Sequence, residues 1–236
     1  MQPTKSFLRE KAPAAYRALT RVRAQGQFAF RSPLATFTRT YRANRWGDPE
    51  SRSGSGSGLA QTAEIRRRLP LLFAELQSRS ILDVPCGDFH WMSRVPLDGV
   101  GYTGADIVPA LVDANQATFG DDARRFVTLD LIRDELPPVD IIMCRDCLVH
   151  LSFADIDSAV RNMCSSGSTY LLTTTFTGRD GNRDIPTGSW RPLNLERPPF
   201  NFPAPLRLID EKCTEDGGKF ADKHLGLWRL ADLASR

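Results

Sequence analysis

Short apolar runs separated by turn residues and amphipathic stretches set the pattern of this chain. Ser80 to Val84, Gly101 to Asp106, Arg125 to Asp130, Val139 to Met143 and Tyr170 to Phe176 each read as a buried strand. Gln61 to Leu76 places Ile65, Leu69, Leu72, Phe73 and Leu76 on one face of a helix that runs directly into the first strand. Pro109 opens a second helix through Thr118, and Ser152 or Phe153 opens a third through Met163. Trp91, Met92 and Val95 suit a short helix. After a Gly-, Pro- and Arg-rich segment from Thr177 to Pro205, Leu206–Ile209 and Leu225–Leu230 close the chain as two more strands. Strands alternating with helices predict an α/β fold, a doubly wound, mostly parallel seven-stranded sheet covered on both faces. Short helical pieces over residues 5–25, and a further turn or two from Thr36 to Asn44, predict an N-terminal helical extension.

At 236 residues the chain suits one domain with an appended segment: a basic extension over 1–58 and a main domain over 59–236. Charge divides along the same line. Residues 1–47 carry ten Lys/Arg against Glu10, while the remainder carries 21 Lys/Arg against 27 acids. Such an arm suits nucleic acid, anionic lipid or an anionic substrate, or else stays solvated. The five cysteines are odd in number and include one CxxC, Cys144 to Cys147, with no second pair to complete a zinc ribbon. No metal site is expected, and reduced thiols fit a cytoplasmic location. No stretch reaches the ~20 apolar residues of a membrane span, and the N-terminus lacks a secretory apolar core. Its Arg-rich, acid-poor composition is that of a transit peptide, broken by prolines 3, 13 and 33.

Candidate chemistry gathers at strand ends. The run Ile81-Leu82-Asp83-Val84-Pro85-Cys86-Gly87-Asp88-Phe89-His90-Trp91 is a buried strand breaking into a tight turn. Asp106 and Asp130 then end the second and third strands. A nucleoside lying across strand ends needs a close backbone turn and, about 20 residues on, a carboxylate for the ribose hydroxyls. A dinucleotide is excluded, because there is no GxGxxG and Pro85 and Phe89 stand where glycines would admit a pyrophosphate. A Walker lysine is absent too. Asp88 would repel phosphate but suits a cationic ligand such as a sulfonium. Between Trp46 and Gly58 a Ser/Gly-rich run reads either as a flexible linker or as a loop covering the ligand.

On these residues the chain resembles the class I S-adenosylmethionine-dependent methyltransferases, which have a Rossmann-like sheet. The resemblance covers about residues 78–236, with LDVPCGDFHW on the family's first motif; Gly87 is kept, and Pro85 and Phe89 replace its other glycines. It also resembles a bacterial subgroup in which a W-G-x-x-E-S-x-S-G-x-G-S-like lead-in precedes a PCGD turn, matching Trp46 to Ser57. The resemblance implies S-adenosyl-L-methionine as cofactor. Gly87 with its neighbours Pro85, Cys86 and Asp88 would approach the methionine moiety, Asp106 with Ile107 the ribose, and Asp130 with Leu131 the adenine. Asp83 would support the first loop, and Arg145 would complete the cofactor set.

Methyl transfer is an in-line displacement that depends on alignment and desolvation, and a hydroxyl acceptor needs a base. Arg145-Asp146-Cys147-Leu148-Val149-His150 follows the fourth strand, offering His150 as base and Asp146 near the methyl group. His90 and His224 are weaker candidates. Trp46, Arg179, Trp190, Arg191 and Asn201 are the candidate acceptor contacts, with Trp for stacking and Arg for a carboxylate or phosphate. The reading is O-methylation of a small polar molecule such as a saccharide or secondary metabolite. An RNA or protein acceptor, suggested by the basic arm, and a non-catalytic cofactor-binding protein stay open as alternatives. The sequence leaves the oligomeric state open.

Overall fold

Adjacent residues of the apolar strands serve opposite sides of one sheet. In the computed structural model, which describes residues 32–234, Leu82, Ile142, Cys144 and Leu171 join one buried cluster. Their neighbours Ile81, Ile141, Met143 and Leu172 join a second. That is the period of two expected of strands with no solvent face. The strands are β1 (Ser80–Asp83), β2 (Gly101–Asp106), β3 (Arg124–Thr128), β4 (Ile141–Cys144), β5 (Tyr170–Phe176), β6 (Arg207–Asp210) and β7 (Lys223–Arg229). They lie in the order β3-β2-β1-β4-β5-β7-β6. Strands β1 to β5 pair in parallel, whereas β7 slots antiparallel between β5 and β6. The α/β, Rossmann-like sheet expected is present as a mixed sheet.

Helices cover both faces. Ile65, Leu69 and Phe73 of α2 (Ala63–Glu75) and Leu111 and Val112 of α3 (Pro109–Phe119) pack on one side. Ile156, Val160 and Met163 of α4 (Phe153–Ser165) pack on the other. Ser152 caps α4 by accepting from the Asp155 amide, and Asp155 complements the positive helix end. Before them, α1 (Pro33–Arg42) starts at Ser32, whose hydroxyl accepts from the Ala35 amide. The expected helical pieces over 5–25 and most of the basic arm lie outside the described residues.

Several elements differ from expectation. β3 stops at Thr128, because Asp130 turns its carboxylate onto the Ile132 amide at 2.9 Å and ends the strand. β4 begins at Ile141, since the Asp140 carboxylate instead accepts from the Arg79 and Ser80 amides. The short helix expected near Trp91 is a 3-10 turn, Met92–Arg94. The wholly described segment 177–205 forms no helix or strand, yet it buries Leu193, Leu195, Phe200 and Phe202 in the first cluster. It is a packed covering layer. No helix among the described residues is long and apolar enough to cross a membrane.

Chain order reverses between β1 and β4: β2 and β3 lie to one side of β1, β4 and β5 to the other. A crevice outside the strand ends is expected at such a switch point.

Candidate functional site

A cavity opens at that point, lined by the loops that leave β1, β2, β3 and β4. Asp83, Pro85, Cys86 and Gly87 line it from the first loop, and Asp106 and Ile107 from the second. Asp130 and Leu131 come from the third loop, and Arg145, Asp146 and His150 from the fourth. Trp46 completes the predicted residues found in its wall. Phe37 and Tyr41 of α1, together with Trp91, were not foreseen and also line it. Their signal was Phe and Tyr four residues apart on one helix face.

The first loop is held from several sides. The Cys86 amide donates to the Ala105 carbonyl at 2.8 Å, and the buried Asn115 of α3 donates to the Gly87 carbonyl at 2.7 Å. Gly87 has φ +55°, and a Cβ built on it would meet the Ser53 Oγ at 2.2 Å, so both conformation and space require glycine. Phe89 is also left-handed, with φ +56°, where a glycine would be unstrained. Its ring is buried among Tyr102, Phe119 and Phe126, with centroids 5.0 to 5.1 Å away. The residue that departs from the familiar motif fills the core.

Asp88 is not among the residues that line the cavity. Its carboxylate accepts from the Ser51 hydroxyl at 2.9 Å, the Arg52 amide at 2.7 Å and the Ser53 hydroxyl at 3.1 Å. Asp88, expected among the cofactor contacts, is instead found anchoring residues 51–53. The Ser/Gly run is therefore neither a free linker nor unstructured. Ser55 donates to Glu215 at 2.6 Å, the Gly56 carbonyl accepts from Arg145 at 2.8 Å, and Glu50 meets His90 at 3.0 Å. Ser53 and Ser57 reach the cavity wall. We call residues 46–58 the strap.

Burial sets the chemistry of the two inner carboxyls. Asp83 accepts from the Tyr102 hydroxyl at 2.6 Å, and burial pushes its pKa up to about 7, against that bond and the nearby Arg145. Burial likewise raises Asp106 to about 6, opposed by the Val108, Gly87 and Ile107 amides. Asp146 goes the other way. Burial works against its charge, but Lys223 at 2.6 Å and Arg145 at 3.3 Å prevail and hold it at about 2. A carboxylate so stabilised is a poor proton acceptor, which counts against Asp146 as a catalytic base. Arg145 and Lys223 also face Glu211, at 2.6 and 3.6 Å, and the four form a balanced set of charges, buried except for the partly exposed Asp146. Lys223 and Glu211 carried no signal in sequence, being charged residues near the ends of the closing strands.

His150 lies in a 3-10 turn, Leu148–His150. Its Nδ1 is 2.8 Å from the Ser189 carbonyl. A carbonyl only accepts, so the neutral ring carries its proton on Nδ1 and offers its lone pair on Nε2. Burial lowers its pKa, with Arg191 and Lys223 adding to the effect and the Ser189 carbonyl and Asp146 opposing it. The ring lies 5.7 Å from that of Trp46. His90 sits with Glu50 beneath the strap, and His224 approaches Thr177 at 3.5 Å.

The remaining acceptor candidates lie outside the cavity lining. Arg179 pairs with Asp222 at 2.8 Å. Trp190 packs on Phe220 with centroids 4.9 Å apart. Asn201 is exposed in a left-handed turn with φ +48°. Arg191 is 0% exposed, its guanidinium spent on backbone carbonyls. The structure does not bring these four to the cavity, because segment 177–205 folds back as a covering layer. Cys144 and Cys147 are free thiols, the first buried and the second lining the cavity. No group of metal-binding side chains occurs among the described residues.

No protein-family model matches this chain, and no curated protein does. Several solved structures resemble it. An amino pentose methyltransferase from Micromonospora echinaspora involved in calicheamicin biosynthesis, with S-adenosylmethionine bound, is 18% identical (TM-score 0.40, 48% of this chain and 49% of that one). The magnesium protoporphyrin IX methyltransferase of Synechocystis PCC 6803, with S-adenosylmethionine bound, is 17% identical (TM-score 0.39, 52% and 64%). An S-adenosylmethionine-dependent methyltransferase from Clostridium acetobutylicum is 12% identical (TM-score 0.41, 52% and 56%). The chain thus spans about half the length of the first and less than two thirds of the other two.

Proposed function

We propose that the chain is an S-adenosylmethionine-dependent methyltransferase that methylates a hydroxyl on an uncharged ring-bearing small molecule. The observation that carries this reading is the convergence of the Gly87 turn, Asp106, Asp130 and His150 on one cavity. The first three match the residues that the family uses for methionine, ribose and adenine, and the fourth is a base in the correct tautomer. S-adenosylmethionine would supply an electrophilic methyl group on a sulfonium. The residues of this chain bind it, exclude water and take the acceptor's proton at the His150 Nε2.

Charge supports a cationic cofactor and argues against an anionic acceptor. Among the described residues that line the cavity, four are aspartates; Asp146 and the one guanidinium, Arg145, are balanced within the set with Glu211 and Lys223, so the net negative charge comes from Asp83, Asp106 and Asp130, with Asp83 only partly ionised at neutral pH. Such a cleft attracts a sulfonium and repels phosphate or carboxylate. The arginines once expected to hold an anion are engaged elsewhere, whereas Phe37, Tyr41 and Trp46 offer faces for a ring. The contact between strap and PCGD turn also supports reading the two motifs of the bacterial subgroup as one working unit.

Calorimetry with S-adenosylhomocysteine tests the reading. Binding is expected, weakened at least about tenfold in Asp106→Ala, in line with a lost hydrogen bond to a charged group. Absence of binding to the unaltered protein overturns it. Transfer of labelled methyl to neutral saccharides or phenols, in preference to sugar phosphates, identifies the acceptor class. Its pH profile should rise with a midpoint below the ordinary histidine value near 6.5.

A further inference from the structure

We infer that Arg191 is a positioning residue for His150, holding the turn that carries the ring and, through the adjoining segment, fixing its tautomer. The inference rests on the reading of His150 as the base.

A 3-10 turn of three residues makes few bonds of its own. Here the His150 amide donates to the Cys147 carbonyl at 2.8 Å and the Leu151 amide to the Leu148 carbonyl at 3.1 Å, too little to fix a side chain. The remaining hydrogen-bonding capacity is taken up from outside, by one stretch of segment 177–205. Arg191 Nη1 donates to the Leu148 carbonyl at 2.9 Å, and its own amide to the Val149 carbonyl at 3.1 Å. The Gly188 amide donates to the His150 carbonyl at 2.8 Å, and Arg191 Nη2 to the Leu151 carbonyl at 2.7 Å. Every carbonyl from 148 to 151 therefore accepts from residues 188–191. The same stretch returns one acceptor, the Ser189 carbonyl, to the His150 Nδ1.

Arg191 ties this template together. Its Nε donates to the Arg183 carbonyl at 3.2 Å, so one guanidinium links three carbonyls from two segments. Its plane lies over the Phe153 ring at 5.5 Å. A fully buried guanidinium with no carboxylate among the described residues in salt-bridge contact is costly, and a lysine could not reach the same three acceptors. The cost is understandable if it sets the geometry of a working group. Arg191 also adds positive charge near His150, beside Lys223 and against Asp146, and so favours the neutral ring.

The test reads the ring itself and needs no acceptor. The chain has three histidines, so nitrogen-15 NMR of histidine-labelled protein resolves His150 by comparison with His150→Gln. The unaltered protein should show a single tautomer, protonated at Nδ1, titrating below the ordinary histidine value. In Arg191→Met that tautomer should be lost to exchange between both forms, and the midpoint should rise by up to about one pH unit. Arg191→Lys should fall between the two. Gly188 has φ +97°, so Gly188→Ala disturbs the same template should Arg191→Met fail to fold, and the same loss is expected. S-adenosylhomocysteine affinity should stay within about twofold in either variant. An unchanged tautomer and midpoint in a folded variant overturn the inference. Failure of the wider reading looks different: His150→Gln would retain turnover although Arg191→Met still releases the ring.

Discussion

Asp83 and Asp106 are two carboxyls in similar positions, each at the end of a parallel strand, each buried, each raised toward neutrality by that burial. A buried acid that holds its proton more tightly than it would in the unfolded chain stabilises the protein below its ordinary pKa near 4. For Asp83 that contribution drains away as pH rises toward about 7. Asp83→Asn removes the titration while keeping an acceptor for the Tyr102 hydroxyl. Its melting temperature, relative to the unaltered protein without ligand, should climb between pH 4 and pH 8 by at least about 3 °C, the response to roughly 1 kcal/mol in a domain of this size. A difference independent of pH would mean that Asp83 titrates normally. Residues of this sort are legible in sequence, because an acid closing an apolar run has a position that follows from strand periodicity. Arg191 was not. Its partners at 148 and 151 lie about 40 residues away, and nothing in a Pro- and Arg-rich segment distinguishes a buried guanidinium from one that grips a ligand.

Among the elements, the strap shows where composition misleads. Serine and glycine offer no apolar surface, so such a segment appears free unless its partners are known. Here the main partner of residues 51–53 is one side chain, Asp88, 35 to 37 residues away. Asp88→Ala should release residues 51–57 while leaving the sheet intact. Hydrogen exchange should show loss of protection confined to that stretch, and S-adenosylhomocysteine should dissociate about tenfold faster, equivalent to about 1.4 kcal/mol. Protection unchanged from the parent protein would show that the other contacts of the strap suffice. The strands were legible for the opposite reason: runs such as Ile141-Ile142-Met143-Cys144, buried on both faces, admit few other structures.

At the scale of the whole molecule, the set Arg145, Asp146, Glu211 and Lys223 joins parts of the chain that the sheet order separates. The first two follow β4, Glu211 follows β6, and Lys223 opens β7, the antiparallel strand whose insertion was not evident from its apolar pattern. Lys223→Met leaves two buried carboxylates facing one guanidinium. Unfolding by denaturant should show a loss of about 3–5 kcal/mol. Adding Glu211→Gln should recover part of it, since residues sharing partners do not act additively. A loss below about 1 kcal/mol would place the lysine in solvent-like surroundings.

The strap has a consequence for the order of events. It lies over the PCGD turn and reaches the cavity wall through Trp46, Ser53 and Ser57, held mostly by hydroxyls, amides, carboxylates and one carbonyl. For the proposed cofactor to leave past the strap, these several weak bonds would have to let go together. On the proposed methyltransferase reading, unfastening of the strap is expected to limit turnover, which a burst of methyl transfer in the first turnover would check.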